Sequence, residues 1–310
     1  MASEAVAPGR AHLGTQLKFP VPAFQEEMPS RVHWREVVAF SALAYGLSWA
    51  WWSPMVWPYL GRITLTGPLP NVVQGGSVRV PVGMFGPLIA ATTMRLFVSS
   101  EGIKGTLGFV RSWRYYAVAI VAPALFVATV IFVDHVSGLG RFRPSHPLGL
   151  AVPTVVFAGG ALGLPLTLGE EYGWRGYLLP RLLPLGEIKA TLILAIIWAM
   201  WHLPILLIGL NYPEQSLMTV LPVFAMTVVL LAFPFTWLYV DSRSSVITVA
   251  LMHSVLNATG DTFTSSRYLD GNPLIVSAGG LIATAMLLVI VIVYGAVRYG
   301  VVRERIRDQP

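Results

Sequence analysis

The sequence predicts an all-α, polytopic membrane protein with about eight transmembrane helices. Composition is the first sign. Of 310 residues, 55% are hydrophobic and only 12% charged, against about 25% charged in ordinary soluble domains. Periodicity is the second. Apolar runs near twenty residues, the length that crosses a hydrocarbon core of about 30 Å, recur from Val37 to Val297. The third is the uneven placement of Lys and Arg between alternate loops.

Residues 1–30 are rich in Ala, Pro and Gly and lack the apolar stretch a signal peptide needs, so they are expected to be a disordered cytoplasmic tail. The first span is Val37–Leu60, with Trp49, Trp51, Trp52 and Trp57 as interface anchors. The second, Val80–Val98, is interrupted at Gly86-Pro87, and the third is Tyr115–Val133. The fourth starts near Leu148 and runs to Arg181, about 50 Å as a straight helix and too long for one crossing. Gly159-Gly160, Gly163 and Pro165 mark places for it to break. Then come Ala190–Leu210, Leu217–Val240, a short Val246–Ala258 and Leu274–Val297. One domain is expected over 31–300, with a motif-bearing core at 148–260 and a basic cytoplasmic tail at 301–310.

Orientation follows from the basic residues. With the N-terminus inside, fourteen Lys and Arg fall in cytoplasmic segments and five in outer loops, so both termini are expected in the cytoplasm. The net charge of +6 is explained by these flanking arginines; no basic stripe interleaved with aromatics points to nucleic acid. Cysteine is absent, which excludes disulfides, thiolate metal sites and a cysteine nucleophile.

Within the fourth run, LGEEYGWRGYLL at Leu168–Leu179 places Glu170, Glu171 and Arg175 in greasy surroundings. A charge at bilayer depth costs about 2.5–3.5 kcal/mol on insertion scales, so these three need partners and a reason. His202 in WAMWHLP, and His253 and Asn257 in ALMHSVLNA, are polar groups in other apolar helices. Measured from the cytoplasmic helix ends, Glu170, His202 and His253 lie about 16, 18 and 12 Å deep, one slab of the bilayer. Residues four apart share a helix face. Glu171 and Arg175 therefore pair, Glu170 is turned about 100° away, and His253 and Asn257 present two donors to one point.

Singly, each of these residues has a plain explanation. A lone intramembrane His packs, Asn257 is glue between helices, and Glu171–Arg175 is a structural pair. Trp174, Trp198 and Trp201 pack, Arg95 snorkels from a helix end, and Asp134, His135 and His146 are solvated loop residues. The joint placement of Glu, two His and Asn at one depth is what the plain explanations leave over.

Glu-Glu-x-x-x-Arg at Glu170–Arg175, aromatic-x-x-x-His at Trp198–His202 and His-x-x-x-Asn at His253–Asn257, in that order on three helices, resemble the CAAX protease and bacteriocin-processing family of intramembrane glutamic endopeptidases, the Abi or type II CAAX prenyl endopeptidase-like proteins. The likeness is close over Pro165–Asn257 and extends weakly to Gly86-Pro87. Trp198 stands where Phe is usual. The resemblance implies eight helices, a cavity open to the cytoplasm and lipid, and no cofactor. It implies that Glu170, helped by His202, activates a water and that His253 and Asn257 bind the oxyanion, with Glu171 and Arg175 in support. Its partners would be the bilayer and a membrane-associated peptide or protein, a prenylated C-terminal tail among the candidates, with no nucleic acid.

The residues alone also admit other readings. Glu170, His202 and His253 are acceptable zinc ligands, so a zinc-dependent intramembrane metalloprotease is one alternative, although no His-Glu-x-x-His pair is present. A non-catalytic scaffold or immunity protein and a proton-coupled transporter are others; a transporter would predict inverted repeats, and none is visible. Three Lys against 18 Arg hint at a GC-rich bacterial genome, hence a bacterial cell membrane.

Overall fold

In lipid a backbone N–H or C=O finds no water, so an apolar run must satisfy its own hydrogen bonds as a helix or a closed barrel. This chain takes the helical solution. Its computed structural model describes residues 31–72, 79–144 and 146–307; the disordered tail expected over 1–30 lies outside the described residues. Helix α1 spans Trp34–Val56. The second run divides into α2 (Arg79–Gly83) and α3 (Gly86–Phe97). Pro87 sits in the first turn of α3, where a missing N–H costs nothing. α4 is Trp113–Val136. α5 (Leu148–Pro153), α6 (Gly160–Gly173) and α7 (Leu179–Leu182) follow, joined by π-helical turns at Thr154–Gly159 and Trp174–Leu178. α8 (Glu187–Trp201) stops at His202, and Pro204 stands in the first turn of the short α9 (Leu203–Leu206). α10 is Leu217–Asp241 and α11 is Val246–Phe263, longer than the short span expected. α12 (Pro273–Val276) leads into α13 (Leu281–Arg307). β1 (Arg141–Phe142) and β2 (Leu269–Asp270) pair antiparallel.

The protein is an integral, polytopic all-α membrane protein. Among the described residues five helical stretches are long and apolar enough to cross a membrane: Arg79–Phe97, Trp113–Val136, Leu148–Leu185, Leu217–Asp241 and Pro273–Gly300. α8 is cut short by the break at His202, and α11 carries His253, Asn257 and Asp261 among its apolar residues.

Two sets of contacts tie the helix ends together. At one end Arg181 bridges Glu36 (2.7 Å) and Glu101 (2.6 Å), Arg298 bridges Glu187 and Asp241 (2.9 Å each), and Ile247 N–H donates to the Leu107 carbonyl. At the other end Leu69 N–H donates to Gln215 O, Met218 N–H donates to Leu65 O, and β1 pairs with β2.

Three expectations need correction. The fourth run does not break at its glycines or at Pro165; it continues as one helical path of 38 residues from Leu148 to Leu185. Gly160 and Gly163 serve packing instead: a Cβ on either would press on Val255 (2.9 Å) or Ser254 Oγ (2.6 Å) of α11, and Ser254 Oγ donates to the Gly160 carbonyl. Asp134 is not a solvated loop residue. α4 runs past Val133 and buries it completely, with Gly140, Leu269 and Val276 folded over it and both carboxylate oxygens without a described partner. His135 and His146 are exposed, as expected. Arg95 does not reach outward. It holds Glu101 at 2.8 Å and donates to the Gly176 carbonyl at 2.6 Å, because that carbonyl lies in a π-helical turn.

Candidate active site

The acidic motif lies where the protein is most closed: every residue from Gly169 to Leu179 is buried. Its glycines make that possible. A Cβ on Gly169 would come within 3.0 Å of the Met84 carbonyl, and one on Gly173 within 2.5–2.8 Å of Pro87. The N-terminus of α3 thus packs directly on α6, which gives the weak likeness at Gly86-Pro87 a physical basis. After Gly173 the helix widens into the π-helical turn Trp174–Leu178; such turns recur at functional sites.

Trp198, on α8, joins the predicted residues. Its indole Nε1–H donates to Glu170 Oε2 at 2.9 Å, and its backbone carbonyl meets His202 Nδ1 at 2.8 Å. The Arg175 guanidinium lies 4.4 Å from the centre of its ring, and the His253 ring stands edge-on to it at 5.6 Å. A tryptophan expected to be packing is therefore the hub of the site. Its position one turn before His202 was the visible signal; its bond to Glu170 was not, because that depends on how α8 meets α6.

Glu170 is 3% exposed, and Glu171 and Arg175 are fully buried. Arg175 Nη1 donates to both oxygens of Glu171 at 2.9 Å, and His253 Nδ1 lies 2.9 Å from Glu171 Oε1. Glu171 thus does more than pair with Arg175: it orients His253 across the α6–α11 contact. Arg175 completes its surroundings with the faces of Trp198 and Phe235, 4.4 and 5.0 Å away.

These partners fix which ring nitrogen each histidine has free. A carbonyl only accepts, so His202 Nδ1 carries the proton that Trp198 O takes, which leaves Nε2 of the neutral ring as an acceptor. A carboxylate likewise only accepts, so His253 Nδ1–H points at Glu171; its Nε2 donates when the ring is doubly protonated. Glu170 lies within electrostatic reach of His253, Glu171 and Arg175, and His202 within reach of His253. Asn257 sits one turn along α11 from His253, half-buried and with no hydrogen-bond partner among the described residues. Glu170, His202, His253 and Arg175 meet Trp198, Glu171 joins them through Arg175 and His253, and the Asn257 side chain has no hydrogen bond or ring contact with the other five among the described residues.

The zinc alternative needs Glu170, His202 and His253 to converge on one point. Among the described residues no three His, Asp or Glu side chains come together as a metal-ligating group.

No curated protein matches the chain. Residues 144–259 match the family described as Rce1-like, type II CAAX prenyl endopeptidase Rce1-like, a segment that holds Glu170, His202, His253 and Asn257 on their three helices. This segment, a little over a third of the chain, is what the protein has in common with the Rce1-like type II CAAX prenyl endopeptidase family.

Proposed function

We propose that this protein is an intramembrane glutamic endopeptidase in which Glu170 and His202 activate one water against a peptide carbonyl. The observation that carries the reading is the double bond-out of Trp198, whose indole fixes Glu170 Oε2 and whose carbonyl fixes His202 Nδ1. Glu170 Oε1 and His202 Nε2 are then both left to accept from a water. The water attacks the scissile carbon and its proton passes to Glu170. The carbonyl oxygen becomes an oxyanion, which Asn257 Nδ2–H and His253 Nε2–H stabilise. Collapse of the intermediate expels the amine as Glu170 returns the proton to its nitrogen. A low-dielectric site favours each step, since donors aimed at a developing oxyanion typically contribute about 3–4 kcal/mol each. Glu171 and Arg175 hold His253 in place and touch no reacting atom.

The substrate class this supports is a membrane-associated or lipidated peptide or protein. The setting is a bacterial cell membrane crossed eight times, with both termini in the cytoplasm on the side of the Arg181 and Arg298 clusters. The catalytic unit would be 148–260 within a single domain over 31–300.

The test is Glu170→Gln in purified protein. Gln is nearly isosteric and cannot take a proton, so cleavage is expected to fall by at least about 10³-fold. Cleavage near the wild-type rate would reject the glutamic mechanism, and cleavage lost with chelator and restored by zinc would favour the metal.

A further inference from the structure

The widened turn Trp174–Leu178 joins the acidic motif to α7, and its backbone cannot satisfy itself. In an α-helix the Gly176 carbonyl would accept from residue 180, but residue 180 is a proline and has no N–H. Gly176 is buried, and a buried carbonyl without a partner is costly. Two arginine side chains meet this need. Arg95, in the last turn of α3, donates from Nη2 to the Gly176 carbonyl at 2.6 Å, and Arg181 donates from Nη1 to the next carbonyl, that of Tyr177, at 3.1 Å. Both guanidiniums lie over the Tyr177 ring, 5.6 and 3.4 Å from its centre, and Arg95 lies 5.9 Å from the centre of the Tyr172 ring.

The end of α3 is shaped to aim Arg95. Ser100 takes the left-handed conformation (φ 54°), the chain turns back, and Glu101 N–H donates to the Arg95 carbonyl at 3.1 Å. The Glu101 carboxylate then holds Arg95 Nη1 at 2.8 Å with one oxygen and Arg181 Nη2 at 2.6 Å with the other. Arg95 is thus fixed from two directions, by Glu101 toward the surface and by Gly176 within. Its side chain is only 11% exposed, so it is not a solvated rim charge.

What the turn carries gives this bond its consequence. Arg175 lies in it and holds Glu171 at 2.9 Å, and Glu171 in turn lies 2.9 Å from His253 Nδ1. Gly176 itself abuts α11, the helix of His253: a Cβ there would come within 3.1 Å of Val246. We infer that Arg95 is a positioning residue for the hydrolytic site: its bond to the Gly176 carbonyl keeps the turn wide, which keeps Arg175 on Glu171 and Glu171 on His253. This role rests on the reading of Glu170, His202, His253 and Asn257 as that site. Arg95 bonds to none of these four; its side-chain partners are Glu101 and the Gly176 carbonyl.

The test compares Arg95→Ala, Arg95→Lys and Glu101→Gln on a lipid-anchored reporter peptide that wild type cleaves, well below the melting temperature of each variant. Arg95→Ala strands the Gly176 carbonyl, and kcat is expected to fall by about ten- to a hundredfold with KM unchanged. Glu101→Gln breaks the ion pair but leaves Arg95 on Gly176, so its loss is expected to be much smaller. Arg95→Lys keeps the charge without the fork; its kcat is expected to fall between, and it carries the test if Arg95→Ala does not fold. Added guanidinium ion is expected to restore much of the kcat of Arg95→Ala, and sodium at the same ionic strength is not, a rescue that a misfolded variant would not show. Hydrogen exchange needs no substrate: the amides of Trp174–Leu178 are expected to exchange faster in Arg95→Ala and near the wild-type rate in Glu101→Gln. A wild-type kcat in either Arg95 variant, an equal loss in Glu101→Gln, no rescue by guanidinium or unchanged exchange over the turn overturns the inference. Glu170→Gln separates the two readings. If it still cleaves, the hydrolytic site is wrong; if it is inactive while Arg95→Ala is fully active, only the role of Arg95 is wrong.

Discussion

Trp198 Nε1 donates to Glu170 Oε2 at 2.9 Å, across the contact between α8 and α6. This bond leaves one carboxylate oxygen engaged and the other available, and it comes from the residue whose own carbonyl holds His202. One residue, through its indole and its backbone carbonyl, thus links an acid and an imidazole carried on separate helices.

Replacing Trp198 by Phe keeps an aromatic ring and removes the donor. A hydrogen bond to a charged group is worth about 1.5–3 kcal/mol, so kcat is expected to drop by about ten- to a hundredfold with KM little changed. Steady-state kinetics on a fixed substrate, with far-UV circular dichroism to confirm the fold, checks this. An unchanged kcat would show that packing against the ring alone positions Glu170.

The Glu171–Arg175 pair is fully buried. Removing one partner strands the other, so Glu171→Gln or Arg175→Met is expected to destabilise by about 3–5 kcal/mol. The double variant should cost less than the two singles together, since neither charge is then left alone. Thermal unfolding in detergent across the four proteins measures the coupling.

The packing of α3 on α6 predicts a sharp contrast between glycines. Gly173→Ala would drive a methyl into the Pro87 backbone and is expected to destabilise by about 1–3 kcal/mol. Gly46→Ala meets nothing within 4 Å and is expected to be neutral or slightly stabilising, because Ala is the better helix former. Paired melting curves test the difference.

Acid should loosen the ion-paired end. Partial burial pushes the Glu36 carboxyl up, but Arg181, His33 and Tyr177 outweigh it and hold it below its ordinary value of 4.5. A carboxyl lowered on folding contributes its full stability above its unfolded value and loses it as pH falls through the folded value. Wild type is therefore expected to lose melting temperature below about pH 4.5, and Glu36→Gln to lose less over the same range. Equal losses would mean that Glu36 is not a titrating part of this cluster.

The helices and the polar residues of the site were legible because lipid enforces a simple rule: long apolar runs become helices, and an ionisable group within one needs a purpose. Glu171 and Arg175 were legible as a pair because four-residue spacing is local. His253 on Glu171 and Trp198 on Glu170 were not, because those bonds join helices far apart in sequence. Asp134 was misread since Asp-His after an apolar run resembles a loop, whereas α4 continues and a later segment covers it. Gly160 and Gly163 were misread as breaks since a glycine permits either a bend or a close approach, and only the neighbour, α11, decides which.

The most direct test of the central claim compares newly formed peptide termini in membranes of cells carrying wild type or Glu170→Gln at equal abundance. If Glu170 activates the hydrolytic water, a defined set of termini appears with wild type and is absent with the variant. The same termini at the same abundance in both would contradict the account.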